Sequence, residues 1–181
     1  MPSVTSSPAT ITSDASAGTT AWTNPGNAAA SDNVYATVSL ASLVSSRRLN
    51  SQGYTFSAIP EGAVPVGFVV SPEGKCASDT SAYEEVSLVV DGVVAGEDKG
   101  TGQVLTTSDA TTNFGGATSM WTLAPRLSQV KSPTFGNVVR IVETGEGDTA
   151  SIDHVPMTVY YEMRIPRPRS RHRTRPFMGV R

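Results

Sequence analysis

No stretch of this chain repeats its apolar residues every three to four positions for long enough to predict a long helix. It breaks instead into short β-type runs divided by Gly, Pro, Ser, Thr and Asp. Residues 34–44 place Val34, Ala36, Val38 and Leu40 on one side of a period-two pattern. Residues 53–60 alternate Tyr54, Phe56 and Ala58 and stop at Pro60, while 63–71 are almost continuously apolar, with Pro65 near an edge or strand start. Residues 83–98 read as two strands around Asp91-Gly92, a dipeptide favoured in type I′ hairpin turns. Further runs are 102–107, 119–124, 137–143 and 154–163; in the last, Pro156 marks the start and Val159 and Tyr161 alternate with Thr158 and Tyr160. One short helix fits 124–130, kept brief by Pro125. Runs spaced roughly 10–15 residues apart predict an all-β, antiparallel sandwich, with a jelly roll as its leading form.

The chain has 181 residues, which suits one domain with loose ends. Its apolar fraction, 38%, lies below the ~45–50% usual for globular chains. A small core follows, of the kind that neighbours in an assembly complete. Residues 1–20, rich in Ser, Thr, Ala and Pro, read as a flexible arm or as a strand that orders on a partner. Residues 21–163 make the sandwich and 164–181 an extended tail. The opening residues lack the basic and apolar regions of a signal peptide. No apolar run approaches the ~20 residues of a membrane helix, so no membrane partner is expected. Cys76 is the single cysteine, which excludes an internal disulfide and predicts a small, partly buried residue.

Charge is divided sharply. The tail reads RIPRPRSRHRTRPFMGVR and holds seven of the fourteen Lys+Arg, with none of the sixteen Asp+Glu. Residues 1–163 therefore carry seven basic against sixteen acidic residues, a net of −9, and the tail carries +7. Such asymmetry speaks to partners more than to fold. Pro166, Pro168 and Pro176 favour extended backbone, and eighteen extended residues reach about 60 Å. The partner-binding candidates are Arg164, Arg167, Arg169, Arg171, Arg173 and Arg175, with Phe177 and Met178 (and Val180) as an apolar tip. Arginine forms bidentate pairs with carboxylates, and an aromatic flanked by Arg matches interface hot spots. Contact with nucleic-acid phosphate is the competing reading. The scarcity of interleaved aromatics and the acidic body weigh against it.

No catalytic, cofactor or metal residue is assigned. His154 and His172 are the two histidines; Asp153 and His154, as strand neighbours, point to opposite faces and share no metal. No G-x-S-x-G elbow is present. Gly115-Gly116 and residues 144–148 read as turns, the latter lacking the ligand spacing of an EF-hand. Glu84-Glu85 and Glu97-Asp98 read as solvated surface rather than glycosidase pairs. Trp22, Trp121, Tyr54 and Tyr83 are expected in the core or an interface, not in a sugar-stacking platform.

Dispersed segments add a resemblance. These are Trp22-Thr-Asn-Pro-Gly-Asn27-Ala, Ser31-Asp32-Asn33, Tyr35-Ala-Thr37, Gln52-Gly53-Tyr-Thr-Phe56-Ser-Ala-Ile59-Pro60 and Gly62-Ala-Val64. They continue with Gly67-Phe-Val69, Glu85-Val-Ser-Leu88, Trp121-Thr-Leu and Asp153-His-Val155-Pro-Met-Thr158-Val-Tyr160-Tyr161. In this order they resemble a family of β-sandwich virion structural proteins of tailed phages and prophages. The match spans about 22–162 and departs from the pattern at Phe68, where an aliphatic residue usually follows the glycine. The resemblance implies a virion structural component, such as a head decoration, cement or tail-associated protein, without fixing which; a capsid decoration or cement protein is the leading expectation. Its partners would be other virion proteins, and a homotrimer would suit a symmetric site. It brings no catalytic residues. The alternative is a tail- or baseplate-associated adhesion module for a host glycan or receptor; a virion-attached hydrolase is the weakest reading.

Overall fold

The computed structural model describes residues 1–164. In chain order its strands are β1 (Ser3–Ser6), β2 (Thr10–Asp14), β3 (Ala36–Ala41), β4 (Arg48–Gln52), β5 (Ala63–Val70), β6 (Glu73–Cys76) and β7 (Ser81–Val90). They continue with β8 (Val93–Ala95), β9 (Ala110–Thr111), β10 (Phe114–Gly115), β11 (Gly136–Glu143), β12 (Gly147–His154) and β13 (Met157–Met163). A 3-10 turn spans Pro25–Ala28, and α1 is a single turn, Leu127–Val130.

One layer is the sheet β2-β4-β11-β7-β8. The other consists of two four-stranded sheets, β1-β13-β5-β10 and β3-β12-β6-β9, which continue into each other. Val70 pairs with both Met157 and Phe114 in the first. Three residues later, Glu73 pairs with His154 and Thr111 in the second. The break passes through Ser71-Pro72, Val155-Pro156 and Thr112-Asn113, making one creased layer. Two of its three crossing strands carry proline at the crease, where a missing N–H interrupts the ladder. The carbonyls still serve: Pro156 accepts from Ser71 N–H at 3.0 Å and Pro72 from Thr112 N–H at 2.9 Å.

Connections from β3 to β4, β4 to β5, β6 to β7, β8 to β9, β10 to β11 and β11 to β12 each change layer. So do β1–β2 and β2–β3, whereas β7–β8 is a hairpin within one layer and β5–β6, β9–β10 and β12–β13 stay within the creased layer. This is a jelly-roll-like antiparallel sandwich. Its seam holds Phe56, Phe68 and Phe135, with ring centroids 5.7–6.2 Å apart, beside Leu49, Leu88, Ile141, Ile152 and Met157. Tyr83 meets Phe114 edge-on at 5.0 Å. Truncating a core phenylalanine in such a seam costs about 3–5 kcal/mol.

Several expectations change. The segment 1–20 is not a loose arm: β1 pairs with β13 and β2 with β4 of the same chain. Val4, Pro8 and Ile11 tuck against the core or beneath the edge, and Ser7 Oγ lies 2.8 Å from His154 Nε2. Residues 53–60 leave the sheet at Gly53 (φ +74°), so Tyr54, Phe56 and Ile59 plug the core from a loop. Residues 119–124 turn instead of extending, because Trp121 and Thr122 both adopt left-handed backbone. Residues 102–107 contribute only an isolated bridge, Ala82 to Val104. The Asp91-Gly92 turn forms as expected, both residues having positive φ.

Gly67 shows how closely β5 is packed. Val66 is an extra residue between the pairs Tyr160–Gly67 and Tyr161–Pro65, a bulge that swings Gly67 against the following loop. A Cβ on Gly67 would stand 2.2 Å from the Ala117 carbonyl oxygen, a backbone atom. Gly67→Ala is therefore expected to destabilise the fold by about 1–3 kcal/mol, measured by urea unfolding. An unchanged midpoint would show that the 115–118 loop yields freely.

Candidate functional site

Each chemically suggestive group of the sequence has a structural place. Glu85 is buried, with side-chain exposure of 7%, and not solvated as expected. Residues 97–103 run over β7: Lys99 N–H donates to Val86 O, and Gly102 N–H donates to Tyr83 O. Beneath them Arg48 clasps Glu85 through two N–H donors at 2.6 and 2.9 Å. Arg140 lies 3.2 Å from Glu85 and 3.5 Å from Glu84. The hydrogen-bonded Glu85 carboxylate is the first cause of a raised Arg48 pKa. Asp98 accepts from Val86 and Gly100 N–H, and Glu97 pairs with Lys99. These carboxylates hold a loop; they do not face each other across a cleft.

A second acidic pair, unforeseen in the sequence, lies at one end of the sandwich. Ser81 Oγ sits between Asp148 (3.0 Å) and Glu143 (3.3 Å), both buried. Gly145 N–H donates to Glu143, and Ala77 and Thr149 N–H donate to Asp148. Burial pushes the Asp148 carboxyl up, but hydrogen bonds from Ser81, Thr149, Cys76 and Ala77 outweigh it and hold it below the usual carboxylate range. Cys76 itself is buried, and burial raises its thiol pKa, the opposite of an activated nucleophile. Among the described residues no group of three or more His, Cys, Asp or Glu is placed to hold a metal.

Asp153 accepts from the N–H groups of Asp32 and Asn33, closing the 31–34 loop, while His154 reaches Ser7. The two point apart as strand neighbours must. Burial holds the His154 imidazole below its ordinary value, against the opposing pull of Glu73 and Asp153. The aromatics are interior. Trp22 donates to Arg47 O at 2.7 Å, Trp121 to Phe68 O at 3.0 Å, and Tyr54 to Val155 O at 2.7 Å. Asn137 in turn donates to Tyr54 Oη, and burial raises the Tyr54 pKa. None of Trp22, Trp121, Tyr54 and Tyr83 is available to stack a sugar.

What remains open is the end of the molecule where β13 finishes. A cleft of about 500 Å³ is formed there by the start of β5 (Ala63, Val64, Pro65), Met120 and Leu127, with Arg126 and Arg164 at its rim. Its position follows from the Trp121 turn. Glu97 N–H donates to Trp121 O at 2.9 Å, which pins the reversed backbone and leaves Met120 half-buried over the cleft. Arg126 N–H donates to Gln129 Oε1, opening α1 and presenting the Arg126 side chain outward. Beside the cleft, exposed Met1 and Met163 flank a second hollow with Pro2 and Glu162.

Of the tail candidates, Arg164 is exposed at this rim. Arg167, Arg169, Arg171, Arg173, Arg175, Phe177 and Met178 lie outside the described residues. The cleft was not visible in the sequence: its floor comes from three distant segments whose apolar residues read as core.

No family model matches the chain, and neither does any curated protein. Two solved structures resemble it loosely. A structure titled "CBM4 structure and function" aligns with 72% of this chain and 87% of its own, at 13% identity and TM-score 0.41. The CBM36-1 domain of a multidomain xylanase from the hindgut metagenome of Trinervitermes trinervoides aligns with 87% of this chain and 96% of its own, at 14% identity and TM-score 0.34. Likeness at this level carries nothing about ligands.

Asp148 gives a pH signature. Its carboxyl is depressed on folding, so its contribution is complete above the unfolded value of about 4 and is lost as pH falls through the lower folded value. Asp148→Asn is expected to destabilise by roughly 1–3 kcal/mol at pH 7, with the gap to wild type narrowing as pH falls below about 4 and through the lower folded value. Denaturant unfolding across that range checks it; a pH-independent gap would remove the carboxylate from the explanation.

Proposed function

We propose that the protein is a structural subunit of a tailed-phage virion, a capsid decoration or cement protein that works by binding rather than by catalysis. It sits between neighbouring subunits and holds them through its sandwich and its terminal segments. The carrying observation is the division of charge at the end of β13. Residues up to Met163 carry a net −9, and the seven arginines begin at Arg164, on the surface beside an apolar cleft. A cationic segment launched from the rim of a folded acidic body is suited to gripping a complementary wall on another protein. The ordered resemblance over 22–162 supports the virion setting. The internal use of Glu85, Asp148, Asp153 and the tryptophans supports a scaffold whose chemistry is spent on folding. The adhesion reading has less support, since the four aromatics considered for its platform, Trp22, Trp121, Tyr54 and Tyr83, are buried.

Deleting 164–181 is expected to leave the thermal transition of the body in place and to lower occupancy on purified particles at least tenfold, read by quantitative gel densitometry. Replacing the arginines with glutamine should have most of the same effect, and raising salt should mimic it in the intact chain. Full occupancy of the truncated protein would remove the tail from the mechanism.

A further inference from the structure

Resting on the reading of the protein as an assembly subunit, we propose that the cleft under Arg126 and Arg164 receives an acidic segment of the partner protein. An apolar side chain enters the floor, and a neighbouring carboxylate meets the two guanidiniums.

Charge bookkeeping singles out this place. Of the eight described Arg and Lys side chains, Arg48, Lys75, Lys99, Lys131 and Arg140 are all engaged with carboxylates of the same chain. Among the described residues Arg47, Arg126 and Arg164 form no such pair, and two of these three stand at the cleft. Both are exposed, on a body that is otherwise strongly acidic. Six further arginines follow Arg164 in the sequence. A local excess of positive charge beside an apolar recess is complementary to a peptide carrying both carboxylates and one large apolar residue.

The floor decides between classes of partner. Ala63, Val64, Pro65, Met120 and Leu127 are apolar and non-aromatic, with no aromatic ring on which a base would stack. Phosphate recognition has no use for a 500 Å³ apolar recess, whereas a Leu, Phe or Met side chain does. The chain's own tail is a poor occupant. Phe177 and Met178 lie between Arg175 and Arg181 and would carry like charge against Arg126 and Arg164.

The test uses the full-length chain as bait for a random dodecapeptide display library. The most enriched peptides are then synthesised with a fluorophore and titrated by anisotropy. The expected sequences place Asp or Glu within two positions of Leu, Ile, Phe or Met. Their affinity should fall at least tenfold in Arg126→Glu, and likewise in Ala124→Trp, which fills the cleft from an exposed position. Both variants should keep the wild-type melting transition, since neither side chain is buried. A fluorescent decathymidine is titrated alongside. Absence of enrichment, enrichment without the acidic-apolar pattern, binding indifferent to both variants, or displacement of the peptide by decathymidine would each overturn the inference. Particle occupancy of the same variants separates the two levels. Loss of peptide binding in a protein that still decorates particles would discard the cleft alone, and failure of the intact chain to bind particles would discard the assembly role.

Discussion

The seam between the two layers absorbs most of the described aromatic side chains, and much of the rest of the structure follows from that demand. Four of the five phenylalanines and both tryptophans are buried; the fifth phenylalanine is Phe177. With so little apolar mass, each ring must serve both layers at once. Phe135 does so by meeting Phe56 from the β4–β5 loop and Phe68 from β5. The outer sheet faces keep fewer large residues, among them half-buried Val64, Val69 and Tyr160 and exposed Val93. Those faces carry pairs such as Thr5–Thr158 and Ser39–Thr149, joined hydroxyl to hydroxyl at 2.7 and 3.0 Å.

The same economy explains the polar interior. Where a larger core would use leucine, this one uses Asn137, Ser81, Glu143 and Asp148, each hydrogen-bonded in a medium that punishes unpaired groups. The Ser51 hydroxyl and Asn137 Oδ1 are buried without a partner among the described residues. Tyr54 joins the Asn137 amide to the Val155 carbonyl just before the crease, and Asp148 ties β12 to the Ala77 and Ser81 region. The creased layer also lets a single chain segment, β12 through β13, line the sandwich from end to end. That path sets β13 between β1 and β5, so the segment after Met163 leaves from the middle of a sheet and not from a loose edge.

Legibility in the sequence tracked side-chain type. β3, β5, β7, β11 and β13 announce themselves through β-branched and aromatic residues, and Asp91-Gly92 announces its turn. β4 (RLNSQ), β6 (EGKC) and most of β12 (GDTASIDH) were silent because their inward positions hold Ser, Gly, Cys, Asp and Ala beside single residues such as Leu49 and Ile152. Their strand state is imposed by pairing, not by propensity. The run 53–60 misled for the converse reason: alternating Tyr54 and Phe56 are core plugs carried by a loop. β1 and β2 could not be inferred because a Ser/Thr stretch is equally compatible with solvent and with an open sheet edge. The Arg164 end of the partner-binding set was legible from charge alone. Arg126, Met120 and the β5 start were not, since only the fold brings them together.

Electrostatics and shape therefore converge on one end of the molecule for independent reasons. Had the tail alone been cationic, the protein would be expected to bind any polyanion, with affinity set by salt. Arg126 changes that expectation, because its position is fixed by α1 and by the Trp121 turn, at the rim of a recess with a fixed shape. On the proposed reading, a run of arginines would raise the encounter rate with an acidic surface, while an exposed guanidinium beside an apolar floor would select among such surfaces. The neutralised lysines and arginines elsewhere sharpen the contrast, since they leave the remaining acidic surface free to repel polyanions from every other approach. On the proposed reading, charge attraction coupled to a fit at the Arg126 and Arg164 cleft would orient the subunit as it docks.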